Sequence, residues 1–267
     1  MEKNTIKWAM YLNYFVFAIL LNSVGIVILK AQRNYGVDEL EASILEAFKD
    51  LPIAIVSFLV ASFLPRIGYK RAMLIGLGLV YMACITMYFG NSFATAKLLF
   101  ATVGVSFALI KVSVYSLIGT VTENQQEHNS LMSSIEGVFM IGIALAYFLF
   151  PAFNSETNPD AWLNVYWLLA GISGVSFAFL FLAKSENQVE VPGVNLLDDF
   201  KQMFQLMAKL LTIVFVISAF LFVMIEQGIM SWLPTFNSKV LHLPENISIM
   251  MASILAISLA VGRLAAG

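Results

Sequence analysis

Charge is scarce in this chain. Of its 267 residues only 12% are Asp, Glu, Lys or Arg, against about 25% in an ordinary soluble domain. Hydrophobic residues make up 60%, and the mean hydropathy is +0.83. These values exclude a water-soluble globule and identify an integral membrane protein. Cysteine is almost absent: Cys84, alone in an apolar run, excludes a disulfide within the chain and any Cys-based metal site. His128 and His242 fall in separate loops, far from any Cys or paired carboxylate, so no metal site is expected. No Gly-Lys loop of the phosphate-cradling kind occurs, which argues against ATP chemistry and leaves no cofactor to expect. No basic tail or basic helical face suggests nucleic acid. Catalytic His, Asp or Cys do not cluster at either membrane face, so an enzyme is not expected either.

What the chain has instead is a series of long apolar runs. Eight meet the length of about 20 residues needed to cross the hydrocarbon core: residues 8–29, 43–64, 73–89, 98–121, 131–150, 162–183, 210–233 and 248–266. The first follows Lys3 and Lys7 and is not succeeded by a small-x-small cleavage site, so it reads as a retained helix. The expected fold class is an all-α membrane protein with about eight transmembrane helices. The net charge of -2 says little, because the distribution of Lys and Arg among the loops sets orientation. With the amino terminus in the cytoplasm, Lys3, Lys7, Arg66, Lys70, Arg71, Lys184, Lys201, Lys209 and Arg263 lie inside. Lys30, Arg33, Lys97 and Lys239 lie outside, and Lys49 and Lys111 lie within spans. The loop at 122–129, placed inside, carries no Lys or Arg.

Most connections are short, which makes consecutive helices antiparallel neighbours. The exception is 184–209, which begins with a polar stretch containing Pro192 and Gly193. After it, Asn195 can cap a helix whose Leu196, Phe200, Met203, Phe204 and Met207 share one face. This predicts an amphipathic helix on the cytoplasmic surface. The chain thus divides into a six-helix bundle over 1–183, a linker over 184–209 and the start of a second bundle over 210–267.

The turn between spans two and three, Ala61-Ser62-Phe63-Leu64-Pro65-Arg66-Ile67-Gly68-Tyr69-Lys70-Arg71, packs three basic residues between apolar runs. It resembles the signature loop of the major facilitator superfamily, G-x-x-x-D-R-x-G-R-K. Arg66, Gly68 and Lys70 match, Pro65 stands in the Asp place and Tyr69 in the first basic place of the final pair. The end of span eight, Val261-Gly262-Arg263, is similar to the approach to the same loop in the family's second half. A segment of span seven, Glu226-Gln227-Gly228-Ile229-Met230-Ser231-Trp232-Leu233-Pro234, resembles that of the fucose and glucose proton symporters, where a Glu is followed by Gly and then Trp-Leu. The resemblance implies a transporter of repeated bundles with twelve spans, four more than the eight here, whose first, fourth and seventh helices line a central cavity. It also implies an inner gating turn made of Arg66, Gly68, Lys70 and Arg71.

Polar residues inside the spans carry the mechanism, since a charge at the bilayer centre costs roughly 2.5 to 3.5 kcal/mol even on the lenient insertion scale. Lys111, deep in span four, shares a face with Gly104, Phe107 and Tyr115. It either faces the solute path or pairs with Glu136 of span five. Glu226 is either a proton-coupling carboxyl or a hydrogen-bond partner for an unwound turn near Gly228. In span two, Lys49 either bridges Glu46 and Asp50 on its own helix or makes an outer gate against span seven. Tyr11 and Tyr14 fit an interfacial belt or a sugar-stacking wall; Asn22, deeper, fits the cavity. The candidates are therefore Asn22, Lys111, Tyr115 and Gln227 for solute, and Glu226, Asp50 and Glu136 for protons.

The Gly-Pro-rich fifth-helix motif of antiporters is missing, because span five has no Pro before Pro151. The resemblance implies proton-coupled symport of a small polar solute such as a sugar, by alternating access, with efflux on the same fold as the alternative. The expected setting is a monomer with its amino terminus in the cytoplasm, embedded in the lipid of a bacterial inner membrane.

Overall fold

A computed structural model describes residues 2–155, 157–182, 205 and 209–266. The linker and the amphipathic helix expected over 195–207 lie almost wholly outside the described residues. The described chain is helical: α1 (Glu2–Asn22), α2 (Val24–Asn34), α3 (Glu39–Ile67), α4 (Tyr69–Gly90), α5 (Phe93–Val121), α6 (Gln125–Ala152), a 3₁₀ turn (Ala161–Asn164), α7 (Val165–Leu182), α8 (Leu210–Lys239) and α9 (Glu245–Ala266).

Short polar side chains start several of these helices by accepting a hydrogen bond from an otherwise orphaned backbone N–H. Asp38 accepts from Glu41 N at 2.7 Å, Asn124 from Glu127 N at 2.8 Å, and Ser92 and Thr95 form a reciprocal capping box. The basic turn forms where expected. Gly68, at φ +91°, ends α3 and opens α4, a backbone conformation that a side chain would strain.

Six helices are long and apolar enough to cross a bilayer: α4, α5, α6, α7 with its preceding turn, α8 and α9. The bent pair α1–α2 makes a seventh. α3, at 29 residues, has the length, but Glu46, Lys49 and Asp50 crowd its first half. The first span differs from expectation. It is not one straight helix over 8–29 but two segments meeting at Ser23 with a 42° bend. At the bend the Ser23 hydroxyl donates to Leu20 O at 2.7 Å and the Asn22 amide to Ala18 O at 2.8 Å. Side chains bonded back onto the preceding turn bend a helix.

α5 is central to the first bundle, with α3 and α4 along its sides; α4 also packs on α7, and α1 packs on α6 and α7. Asn13 of α1 is buried and accepts from Ser176 of α7 at 3.1 Å. α8 rests against α2, and α9 against α6 and α8. Small residues allow these close approaches. A Cβ on Gly104 of α5 would stand 3.2 Å from Pro52 Cβ of α3, and one on Gly25 of α2 would stand 2.8 Å from Ser231 Cα of α8. Outward-facing residues of α4, α7 and α8 are large and apolar, among them Ile75, Phe179 and Phe215, as a lipid-facing surface requires.

Candidate solute-binding cavity

The contact of α8 with the first bundle is uneven along its length. From Leu210 to Ile225 nearly every side chain of α8 is exposed, whereas Met230, Ser231, Pro234, Thr235 and Asn237 are buried. α8 therefore closes on the bundle at the face holding the loops after α2, α6 and α8, and leaves a gap deeper in. That gap is a cavity of about 650 Å³, within the usual 300 to 1,000 Å³ of a small-molecule site.

Its walls bring together most of the residues singled out from the sequence. Asn22, Asp50, Lys111, Tyr115, Glu136, Glu226 and Gln227 all line it. The helix period explains this for α5, where Phe107, Lys111 and Tyr115 recur every four residues and so share a face. Tyr115 donates its hydroxyl proton to Glu136 Oε1 at 2.5 Å. Lys111 does not pair with Glu136: among the described residues it makes no ion pair. Its ammonium group sits 5.8 Å from the centre of the Phe107 ring and 6.0 Å from that of Tyr115, within cation–π range.

Lys49 is only 2% exposed, yet it does more than bridge its own helix. Its ammonium group lies 3.4 Å from Asp50 Oδ1 and donates across the cavity to Gln227 Oε1 of α8, also at 3.4 Å. Of the two readings open for Lys49, the geometry matches contact with span seven. Glu46 lies half-buried nearby, with one buried carboxyl oxygen lacking a hydrogen bond.

Of the two readings open for Tyr14, the geometry matches the aromatic wall, to which Phe139 adds a ring not singled out from the sequence. Tyr14, 2% exposed, packs with Phe107 at 6.3 Å, Tyr115 at 6.2 Å and Phe139 at 5.8 Å between ring centres. It belongs to the cavity rather than to an interfacial belt. Tyr11 instead pairs with the exposed Trp8 at 5.9 Å. The missed signal was Phe139, three residues beyond Glu136 and so on the same helical face.

A second feature had no counterpart in the sequence reading. At the closed face Glu245, the first residue of α9, binds Lys30 and Arg33 of α2 together, Arg33 at 2.6 Å. Arg33 also donates to Ser238 at 2.6 Å. Asn154, after α6, donates to Glu245 at 3.3 Å and to Asn246 at 2.5 Å. Lys239 pairs with Glu39 at the start of α3, and this ammonium group holds the Glu39 carboxyl below its ordinary range. Beside them Tyr35 donates to Asn91 at 3.0 Å, and burial pushes its hydroxyl up to about 12. Lys30, Arg33 and Lys239 were counted from the sequence as loop charges, without their acidic partners.

At the opposite face Lys7 of α1 pairs with Glu127 of α6 at 2.7 Å. The basic turn is anchored by Lys70, which donates to Phe181 O at the end of α7 at 3.1 Å. Arg71 is exposed, and the side chain of Arg66 lies outside the described ones.

Comparison with known proteins agrees with this architecture. The family model described as Major Facilitator Superfamily matches residues 10–267. No curated protein matches by sequence. Among solved structures, the crystal structure of a D-xylose-proton symporter superposes with a TM-score of 0.63 at 13% identity, covering 95% of this chain. This chain spans 65% of the length of that structure's chain, and at such identity the likeness shows the fold. The chain belongs to the Major Facilitator Superfamily.

Proposed function

We propose that the protein is a secondary active transporter that carries a small polar solute together with protons, probing each side of the membrane in turn through the cavity between α1, α5, α6 and α8. The observation that carries this reading is the cavity itself, in which Lys111, Glu136 and Glu226 share one space of about 650 Å³. Charges within spans are costly unless they face water or partners, so their convergence on a cavity supports a solute path. The solved sugar-proton symporter with the same fold supports a sugar-like solute and proton coupling.

In this reading the chain has two moving halves, residues 1–183 and 210–267, joined through 184–209. The amino terminus is cytoplasmic, and the face closed by Glu245 is the outer one. The structure then represents an outward-closed state. Arg66, Gly68, Lys70 and Arg71 form the inner gating turn, which tightens when the cavity turns outward. Glu226 carries the proton, Asp50 and Glu136 tune it, and Asn22, Lys111, Tyr115 and Gln227 contact the solute.

The test is Glu226→Gln in proteoliposomes of the full protein. It is expected to abolish gradient-driven accumulation while sparing solute exchange, because an amide cannot cycle a proton. Uphill uptake at the wild-type level would remove Glu226 as the coupling group. Extrusion of labelled solute under the same gradient would favour efflux instead.

A further inference from the structure

The charges lining the cavity are not equally engaged. Lys49 has Asp50 and Gln227, Glu136 has the Tyr115 hydroxyl, and Glu226 has a partner of its own. Lys111 differs. It is exposed to the cavity, touches only aromatic faces among its described polar and ring contacts, and makes no ion pair among the described residues. Its three N–H donors thus face the cavity without a carboxylate partner among the described residues.

The hydrogen-bonding groups nearest to it are largely taken. The Tyr14 hydroxyl is buried beside Tyr115, the Tyr115 proton is committed to Glu136, and one Asn22 amide N–H is committed to Ala18 O, which leaves its second N–H and its carbonyl oxygen. A neutral sugar presents hydroxyls that both donate and accept, whereas a carboxylate only accepts. An ammonium group without an ion pair, beside a flat surface of Phe107 and Phe139 at 6.0 Å, matches a carboxylate attached to a C–H-rich body.

We propose that the solute is a hydroxylated carboxylate, such as a hexuronate, which docks its carboxylate on Lys111 and lays its C–H face on Phe107 and Phe139. This rests on the transporter reading and narrows its substrate class. It also gives the proton a purpose: an anion moving with one proton carries no net charge across the membrane. Of the lining carboxylates, Asp50 faces Lys49, Glu136 accepts from the Tyr115 hydroxyl, and the proton that travels with the solute offsets Glu226.

The experiment compares glucuronate, lactate, glucose and xylose at constant ionic strength, using binding to the purified full-length protein and proton-driven uptake into proteoliposomes. Glucuronate is expected to bind at least tenfold more tightly than glucose. Lys111→Gln is expected to erase that preference, and Lys111→Arg to restore it. Lactate binding as tightly as glucuronate would keep the carboxylate and remove the sugar body. Glucose or xylose binding as tightly as glucuronate, no binding of either anion, or a preference that survives Lys111→Gln would each overturn the inference. If Lys111→Gln does not fold, the wild-type panel and Lys111→Arg still decide. Gradient-driven uptake of glucose alone would sink this inference and leave symport standing. Glucuronate binding without accumulation would do the reverse.

Discussion

Replacing Glu245 by Gln should open the outer face. Glu245 holds Lys30, whose side chain is 7% exposed, and Arg33, whose side chain is 42% exposed. Removing one partner of a buried pair costs about 3 to 5 kcal/mol, while an exposed pair contributes about 0 to 1 kcal/mol. Gln keeps the shape and can still accept from Lys30, Arg33 and Asn154, so the net loss should fall between these two ranges, at about 2 kcal/mol. Since roughly 1.4 kcal/mol is tenfold in an equilibrium, the open population should rise about 30-fold. Thr235 reports on it: it is 4% exposed and sits one turn beyond Ser231, which meets Gly25 of α2. In a Thr235→Cys background, the rate of labelling by a membrane-impermeant maleimide should rise by that factor when Glu245→Gln is added. The native Cys84, fully buried, supplies an internal blank. A labelling rate unchanged within twofold would refute the view that Glu245 holds this face shut.

Other consequences follow from the same geometry. Gly25→Val should prevent closure of α2 on α8, since a Cβ there meets Ser231 Cα at 2.8 Å; transport should fall at least tenfold while membrane insertion, followed by expression and gel filtration, is retained. Gly104→Ala should destabilise the first bundle by about 1 to 3 kcal/mol through overpacking against α3, seen as a lower midpoint in a thermal unfolding scan. The Glu39–Lys239 pair should weaken in acid. The folded-state carboxyl is held below its ordinary 4.5, so its contribution is present above that value and lost as pH falls through the lowered one. Thr235→Cys labelling, divided by the rate of a free thiol at the same pH to cancel the loss of thiolate, should rise over that acid range, and Glu39→Gln should remove the rise.

The parts of this molecule that follow from one-dimensional pattern were legible in its sequence. Apolar run length gave the spans, and Gly68 between basic residues gave the turn. The four-residue spacing of Phe107, Lys111 and Tyr115 gave a shared face, because helix geometry alone dictates it. What depended on pairing between distant segments was not legible. Glu136 went to Tyr115 rather than to Lys111, and Lys49 reached Gln227, 178 positions away. Glu245 reached Lys30 and Arg33 across more than two hundred positions, Arg33 at a separation of 212. The bend at Ser23 was hidden for another reason: apolar composition continues through it, and only the back-bonded Asn22 and Ser23 side chains mark it.

The whole account requires that water reach the heart of the bundle beside Lys111. Lys111→Cys in sealed vesicles, treated with a water-soluble maleimide, measures this directly. The account predicts rapid modification at position 111, with Cys84 inert in the same sample. A cysteine at 111 as unreactive as Cys84, in protein that still inserts and folds, would mean that no aqueous path runs there.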